Sequence, residues 1–275
     1  MSRILVALPV FAPSDELLTR NLNGLQSLKH LNDMPADVAV GGWTASNAYW
    51  NQIAERYNEF SVAGDTLQFI GLHQNAQNYG KAYTINQLVK NAVASRGSNY
   101  YDFLLTADSD IEFLPQPHFI ERLCECARVI EGHKGLSFGV LGLNQTAANC
   151  NDTEHMPLTH TYKNSFGMDE LVRWSKVPAY IAGGCLFTSM KAWLSIGGYR
   201  VMGVYAGDEA WYLSDCSRLH YSWQMIETAF VNHPPEGDAS YVNWKHKVCA
   251  RDSDGKVRAD LTQQIEEANA FWKNK

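Results

Sequence analysis

Phe103-Leu104-Leu105-Thr106-Ala107-Asp108-Ser109-Asp110-Ile111-Glu112 is the stretch that decides the reading of this chain. An uncharged, mostly apolar run leads straight into two carboxylates one residue apart. Residues 101–107, which contain this run, read as a buried strand. Positions i and i+2 of a strand share a face, so at the strand end Asp108 and Asp110 can converge on one hard cation. Mg2+ or Mn2+ takes oxygen ligands and leaves room for phosphate oxygens. The same tripeptide also suits a polar turn that ends a strand, so its surroundings must decide.

Upstream, strand and helix signals alternate. Residues 4–10 form an apolar run bounded by Pro9 and Pro13. Ser14 then reads as a helix N-cap with Asp15 and Glu16 in the first turn. Leu18, Leu22, Leu25 and Leu28 give that helix one apolar face. Residues 36–43 predict a second strand, 46–60 a helix, 66–72 a strand and 81–94 a helix. This order implies βαβ crossovers and a mostly parallel sheet flanked by helices, with ligands at the carboxyl ends of its strands.

Downstream the pattern loosens. Residues 117–131 predict a helix and 136–143 a strand. Residues 144–176 are polar with little periodicity and read as a long loop, a kind of segment that is usually functional. Then come a strand over 180–189, a helix ending near Gly197-Gly198, a helix from about Asp208, a strand over 223–231 and a terminal helix over 259–273. No repeat, low-complexity tract or linker interrupts the chain, so residues 1–275 are expected to form a single α/β domain.

The 275 residues are 45% hydrophobic and 19% charged, a composition that excludes intrinsic disorder. Lys and Arg number 23 against 29 Asp and Glu, and the net charge of −6 argues against broad electrostatic coating of nucleic acid. No run approaches the roughly 18 apolar residues of a membrane helix. The apolar stretch at 1–10 is too short for a signal peptide and reads as a strand, so a cytoplasmic protein is expected. Cys124, Cys126, Cys150, Cys185, Cys216 and Cys249 include no CxxC pair, so reduced thiols are expected rather than a structural zinc site.

Three further segments carry chemistry. Asn75-Ala76-Gln77-Asn78-Tyr79-Gly80-Lys81 places a glycine and a cation where a helix begins, and helix N-terminal amides bind anions. Gly203-Val204-Tyr205-Ala206-Gly207-Asp208-Glu209 opens a helix with two carboxylates. They suit the helix dipole, and either can serve as a general base. Glu227-Thr228-Ala229-Phe230-Val231-Asn232-His233-Pro234 sets a histidine directly after a strand, where it can act as a third metal ligand or as a structural residue.

Taken in order, these segments resemble a GT-A glycosyltransferase of the family 2 type, over roughly residues 3–235. Asn78-Tyr79-Gly80-Lys81 with Asn86 resembles that family's segment before the metal motif, and Asp108-Ser109-Asp110 its DxD motif. Tyr180-Ile181-Ala182-Gly183-Gly184-Cys185-Leu186-Phe187, running on to Ile196-Gly197-Gly198-Tyr199, resembles its acceptor-side segment. Asp208-Glu209 falls where its acidic pair falls, and His233 at its late histidine.

The resemblance implies a Rossmann-like GT-A domain, with a nucleotide-binding half over about 1–115 and an acceptor-binding half over about 116–275. It implies transfer of a hexosyl or pentosyl group from a nucleotide-diphosphate sugar to a hydroxyl, with inversion. Mn2+ or Mg2+ would be held by Asp108, Asp110 and His233. Donor contacts would come from Pro9, Val10, Phe11, Ala12, Asn78, Gly80, Lys81, Asp108, Ser109, Gly183 and Gly184. The second acidic position, Glu209, is the base in the family pattern. The order Asp-Glu inverts the family's Glu-Asp and keeps Asp208 open. Gly41-Gly42-Trp43-Thr44 replaces the aspartates that often read the nucleotide, so nucleotide identity is not implied.

For the acceptor, residues 145–178 offer His155, His160, Tyr162, Lys163, Phe166, Arg173, Trp174 and Lys176. Residues 241–275 hold seven Lys/Arg against five Asp/Glu. Aromatics with cations suit a glycan or a modified nucleobase. Two other readings keep the same residues: a non-catalytic sugar-nucleotide or glycan-binding module that does not need Asp208 or Glu209, and a metal-dependent nucleotide-sugar hydrolase.

Overall fold

The computed structural model describes residues 2–63, 66–132, 136–146, 156–174, 181–205, 208–235 and 239–248, with Gln263, Glu266 and Ala270. They form one mixed sheet ordered β3-β2-β1-β4-β9-β6-β10-β8-β7, with β5 on β10. The strands are β1 (Ile4–Ala12), β2 (Ala36–Thr44), β3 (Leu67–Gln74), β4 (Phe103–Ala107), β5 (Glu112–Phe113), β6 (Ser137–Gln145), β7 (Leu158–Lys163), β8 (Asp169–Trp174), β9 (Cys185–Ser189) and β10 (Tyr221–Asn232). The helices are α1 (Asp15–Ser27), α2 (Asn47–Ala63), α3 (Lys81–Arg96), α4 (Phe119–Gly132), α5 (Met190–Ile196), α6 (Asp208–Arg218) and α7 (Ala239–Val248). β1 runs parallel to β2 and β4, β2 to β3, and β6 to β10. β9 is antiparallel to both β4 and β6, so β6 and β10 point the same way as β1.

The sheet is covered on both faces, which is why its central strands are continuous apolar runs. In β1, Ile4, Val6, Leu8 and Val10 face the layer of α1, α2 and α4, while Leu5 and Ala7 face that of α3, α5 and α6. In β4, Phe103, Leu105 and Ala107 face the first layer and Leu104 the second. Leu105 is fully buried, so Leu105→Ala should cost about 2–5 kcal/mol. Ser14 caps α1 as expected, its Oγ accepting from the Leu17 amide at 3.4 Å. Cys124, Cys126, Cys185 and Cys216 are buried free thiols. Burial pushes Cys124, Cys126 and Cys216 up to about 12, too high for reactive thiolates. Cys150, Cys249 and most of the expected terminal helix lie outside the described residues. No described helix is long and apolar enough to cross a membrane.

The reading of residues 144–176 as a loop needs correction: β7 and β8 form an antiparallel hairpin there. β7 is an edge strand with mostly exposed side chains, so it carries no apolar alternation. In β8 the inward positions are Glu170 and Val172, and a buried glutamate hides the period of two. β5 and α7 also went unread, β5 because two residues are too few for a pattern.

Candidate active site

β1, β2, β4, β6 and β10 end on the same side of the sheet, and a cavity of about 440 Å³ opens there. Its wall includes Pro9, Val10 and Phe11 from β1 and Trp43 from β2. Ala12, expected beside them, is fully buried in the core and is absent from the wall. Asn78, Gly80, Lys81, Asp108, Ser109, Asp110, Gly183, Gly184, Glu209 and His233 all line this one space. Asp208 opens α6, but its side chain lies outside the described residues.

The Asp108-Ser109-Asp110 segment is a turn locked at both ends. The Asp108 amide donates to the Gly184 carbonyl at 2.7 Å, and the Ile111 amide to the Asp108 carbonyl at 3.0 Å. α1 packs directly on this turn at Gly24, where a Cβ would strike the backbone oxygens of Ser109 and Ile111. One turn earlier in α1, buried Asn21 clamps the end of β1: its Oδ1 accepts from the Phe11 amide and its Nδ2 donates to the Phe11 carbonyl, each at 3.1 Å.

Asp108, Asp110 and His233 each offer a ligand atom, and these atoms lie within 4.8 Å of one another. Asp108 Oδ1 is 2.6 Å from the Lys81 ammonium, which also donates to the Gly183 carbonyl at 2.7 Å. Burial alone would lower the Lys81 pKa; Asp108, then Tyr199 and Glu209, more than reverse this and hold it well above the usual lysine value. The Asp110 carboxylate is 3.8 Å from His233 Nε2. Burial, and then the Asp108 charge, push Asp110 above the usual carboxylate range, with His233 opposing only in part. Two carboxylates with so little compensation fit a bound divalent cation, which would lift both penalties.

Gln145, which the sequence reading passed over, fixes the histidine. It is fully buried at the end of β6. Its Nε2 donates to the Ala182 carbonyl at 3.2 Å, so its Oε1 must face His233 Nδ1, 2.8 Å away. That oxygen can only accept, so Nδ1 carries the hydrogen and Nε2 presents its lone pair towards Asp110 when the ring is neutral. A partner on the far ring nitrogen is how metal-ligating histidines are oriented. Arg20 holds the chain beyond His233 by donating from Nη1 to the Pro235 carbonyl at 2.6 Å.

Two more glycines are required by close approach. Gly80, at φ +85°, caps α3 and sits against the Val204 backbone, with no room for a Cβ. Its amide donates to Asn78 Oδ1 at 3.0 Å, so Asn78 shapes the start of the helix as well as the wall. At Gly183 a Cβ would lie 2.7–2.8 Å from Glu209 Cδ, Cγ and Cβ. The Glu209 side chain therefore lies across Gly183, beside the Lys81 and Asp108 pair.

A second group missed in the sequence belongs to α7. Tyr241, Trp244 and Lys245 share one helix face by their i, i+3, i+4 spacing, and all three line the cavity. Trp244 stacks on Phe11 at 4.6 Å and 22°, and Phe11 on Trp43 at 5.9 Å. The available signal was weak, since α7 spends its aromatic rings on the cavity and has no apolar stripe. Of the described residues in 145–178, only Gln145 reaches the cavity wall. His160, Tyr162, Lys163, Phe166, Arg173 and Trp174 belong to the β7–β8 hairpin beyond β10. His155 and Lys176 lie outside the described residues.

No family model and no curated protein matches this chain. Solved structures do. S. aureus TarS 1–349 matches with a TM-score of 0.54 at 13% identity, over 85% of this chain and 60% of that one. A longer S. aureus TarS chain matches at 0.53 and 13% over 86% of this chain, which spans 37% of it. The mannosyltransferase PcManGT from Pyrobaculum calidifontis, solved in complex with GDP-Man and Mn2+, matches at 0.54 and 10% over 98% of this chain and 69% of that one. The likeness shows the fold, as the sequence pattern implied.

Proposed function

From the GT-A fold of this chain, we propose that the protein is a metal-dependent glycosyltransferase that moves a sugar from a nucleotide-diphosphate sugar to a hydroxyl, with inversion. The observation that carries this reading is the convergence of Asp108, Asp110 and His233 in the same cavity as Glu209. A mannosyltransferase of the same fold was solved with a nucleotide sugar and Mn2+, which supports the donor class and the metal. Asp108, Asp110 and His233 would hold Mn2+ or Mg2+. When bound there, the ion supplies Lewis-acid charge for the departing nucleotide diphosphate.

The chain's own residues do the rest. The aromatic cluster of Phe11, Trp43 and Trp244 walls the end of the cavity where the base would lie. Lys81 holds Asp108 in place against the Gly183 carbonyl, and Gln145 fixes the His233 ring. Glu209, lying over Gly183, accepts the proton of the acceptor hydroxyl as it attacks. In this reading residues 1–115 supply most of the donor contacts. The later half supplies the base, the histidine and the acceptor side, where a glycan or a modified nucleobase would bind.

The test is turnover of a panel of nucleotide sugars by the purified protein, with Mn2+ and with chelator. We expect metal-dependent transfer. Glu209→Gln should lower kcat roughly 10²–10⁴-fold, with donor affinity retained. If Glu209→Gln keeps near wild-type turnover while Asp208→Asn loses it, the base is Asp208. If both variants keep turnover, neither is. If no nucleotide sugar is turned over or bound, the transferase reading falls.

A further inference from the structure

The chain around His233 is held in two different ways. Upstream, β10 is paired on both sides up to the residue before it: Val231 stands opposite Gln145 of β6, and Asn232 opposite Glu112 of β5. Asn232 Nδ2 also donates to Glu112 Oε2 at 2.9 Å. Downstream, β10 has ended, and residues 233–235 have no strand partner among the described residues. Arg20 fastens them instead, its Nη1 donating to the Pro235 carbonyl at 2.6 Å.

The sequence makes that single contact effective. His233-Pro234-Pro235 is a stiff unit. Each proline ring fixes its own φ, and the residue before a proline is kept out of the helical region. A hold on the Pro235 carbonyl therefore reaches back to the His233 backbone. The guanidinium is itself held: Arg20 Nη2 donates to Glu16 Oε1 at 2.7 Å, one turn back on α1.

α1 is also set against the chain that carries Asp110. One turn beyond Arg20, Gly24 packs on the backbone oxygens of Ser109 and Ile111, which flank Asp110. Nearly one turn further, the Ser27 hydroxyl accepts from the Phe113 amide at 2.8 Å. One helix thus touches both chain segments that bring ligands to the cation. The Arg20 charge works in the other direction. It is felt at Asp110, and a positive charge near a cation site repels the ion. Position and charge therefore predict opposite effects on metal affinity.

We propose that Arg20 is a positioning residue of the cation site: by tying the His233-Pro234-Pro235 unit to α1, it keeps the His233 imidazole in reach of the ion that Asp108 and Asp110 bind. This rests on the metal reading above and adds to it a residue that acts through His233.

The experiment is a Mn2+ titration of the full chain followed by electron paramagnetic resonance, with urea unfolding in chelator alongside. Wild type, Arg20→Met, His233→Ala and the double variant form a cycle. Arg20→Gln is run in parallel, so that the result does not hang on the folding of one variant. Wild type should show nitrogen coupling to the bound Mn2+, and His233→Ala should lose it. Arg20→Met should weaken Mn2+ binding about 10-fold, the low end for losing a partner that orients a metal ligand, and should diminish the nitrogen coupling. In the His233→Ala background the same change should not weaken Mn2+ at all. Equal weakening in both backgrounds would mean that Arg20 acts elsewhere, and would overturn the proposal. Unchanged or tighter binding in Arg20→Met would also overturn it, because only the charge would then matter. If wild type binds no Mn2+, the metal reading itself falls and takes this assignment with it.

Discussion

Two acidic centres in this molecule are built in opposite ways. Glu170 is fully buried, and every oxygen of its carboxylate is matched. Arg122 grips it with two nitrogens, Nη2 at 2.9 Å from Oε2. Asn164 donates to Oε1 at 2.8 Å, and the Thr228 hydroxyl donates to Oε2. Asp108 pairs with the Lys81 ammonium, while Asp110 has an imidazole 3.8 Å away and the weaker influence of the Arg20 charge. The first centre is closed and ties α4 to β8 and β10. The second is under-neutralised and faces a cavity. A carboxylate whose partners are all protein groups holds the fold, whereas a pair left short of positive charge is poised for a ligand.

The largest effect should come from breaking the closed centre. Burial alone would raise Glu170; the hydrogen bonds from Arg122 and Thr228, the Arg122 charge and Asn164 outweigh it and hold the group below the usual range. Arg122→Met strands a buried charge and should cost about 3–5 kcal/mol in urea unfolding. Removing both charges, with Arg122→Met and Glu170→Leu together, should recover most of that loss. The folded-state pKa is depressed, so this stability is complete above the unfolded value and is lost as pH falls through the folded one. Acid unfolding of wild type should therefore shift to higher pH in Arg122→Met. A loss under 1 kcal/mol would show that Glu170 is not held charged.

The open centre should respond to a cation where the closed one does not. At a concentration of Mn2+ about 100 times its Kd, binding should stabilise the native state by about 2.7 kcal/mol, seen as a rise in Tm that chelator reverses. Asp110→Asn should abolish most of the rise, and Arg122→Met should leave its size unchanged. A wild-type Tm indifferent to Mn2+ and Mg2+ would remove the metal from the reading.

The contrast also explains what the sequence could show. β1, β2 and β4 are buried on both faces, so their apolar runs declare them. Asp108, Asp110 and His233 stand where strands stop, and polar residues there are conspicuous. Glu170 occupies an inward strand position, where a charge erases the alternation that would reveal β8. Gln145 looks like the first residue of a polar loop, yet it is the last of β6, and only folding brings it against His233. Gly24 reads as a weak spot in a helix until α1 meets the Ser109 backbone. Lys245 is one cation in a tail with many, and its meaning depends on which face of α7 turns to the cavity.

The smallest effect is the most discriminating, because its sign differs between the two centres. Neutralising an acid normally removes a favourable contact, as it would at Glu170. Asp110 sits near another carboxylate, and burial already disfavours its charge. In metal-free buffer at neutral pH, Asp110→Asn keeps the shape and removes the like-charge repulsion. It should therefore stabilise the protein by about 0.5–2 kcal/mol, the scale of a single stabilising substitution. The same substitution loses the Mn2+ response, so the variant should melt above wild type in chelator and below it in excess Mn2+. Urea unfolding of both proteins in the two buffers measures all four stabilities. A variant less stable than wild type in chelator would mean that Asp110 is held by protein contacts as Glu170 is, and the distinction between the centres would collapse.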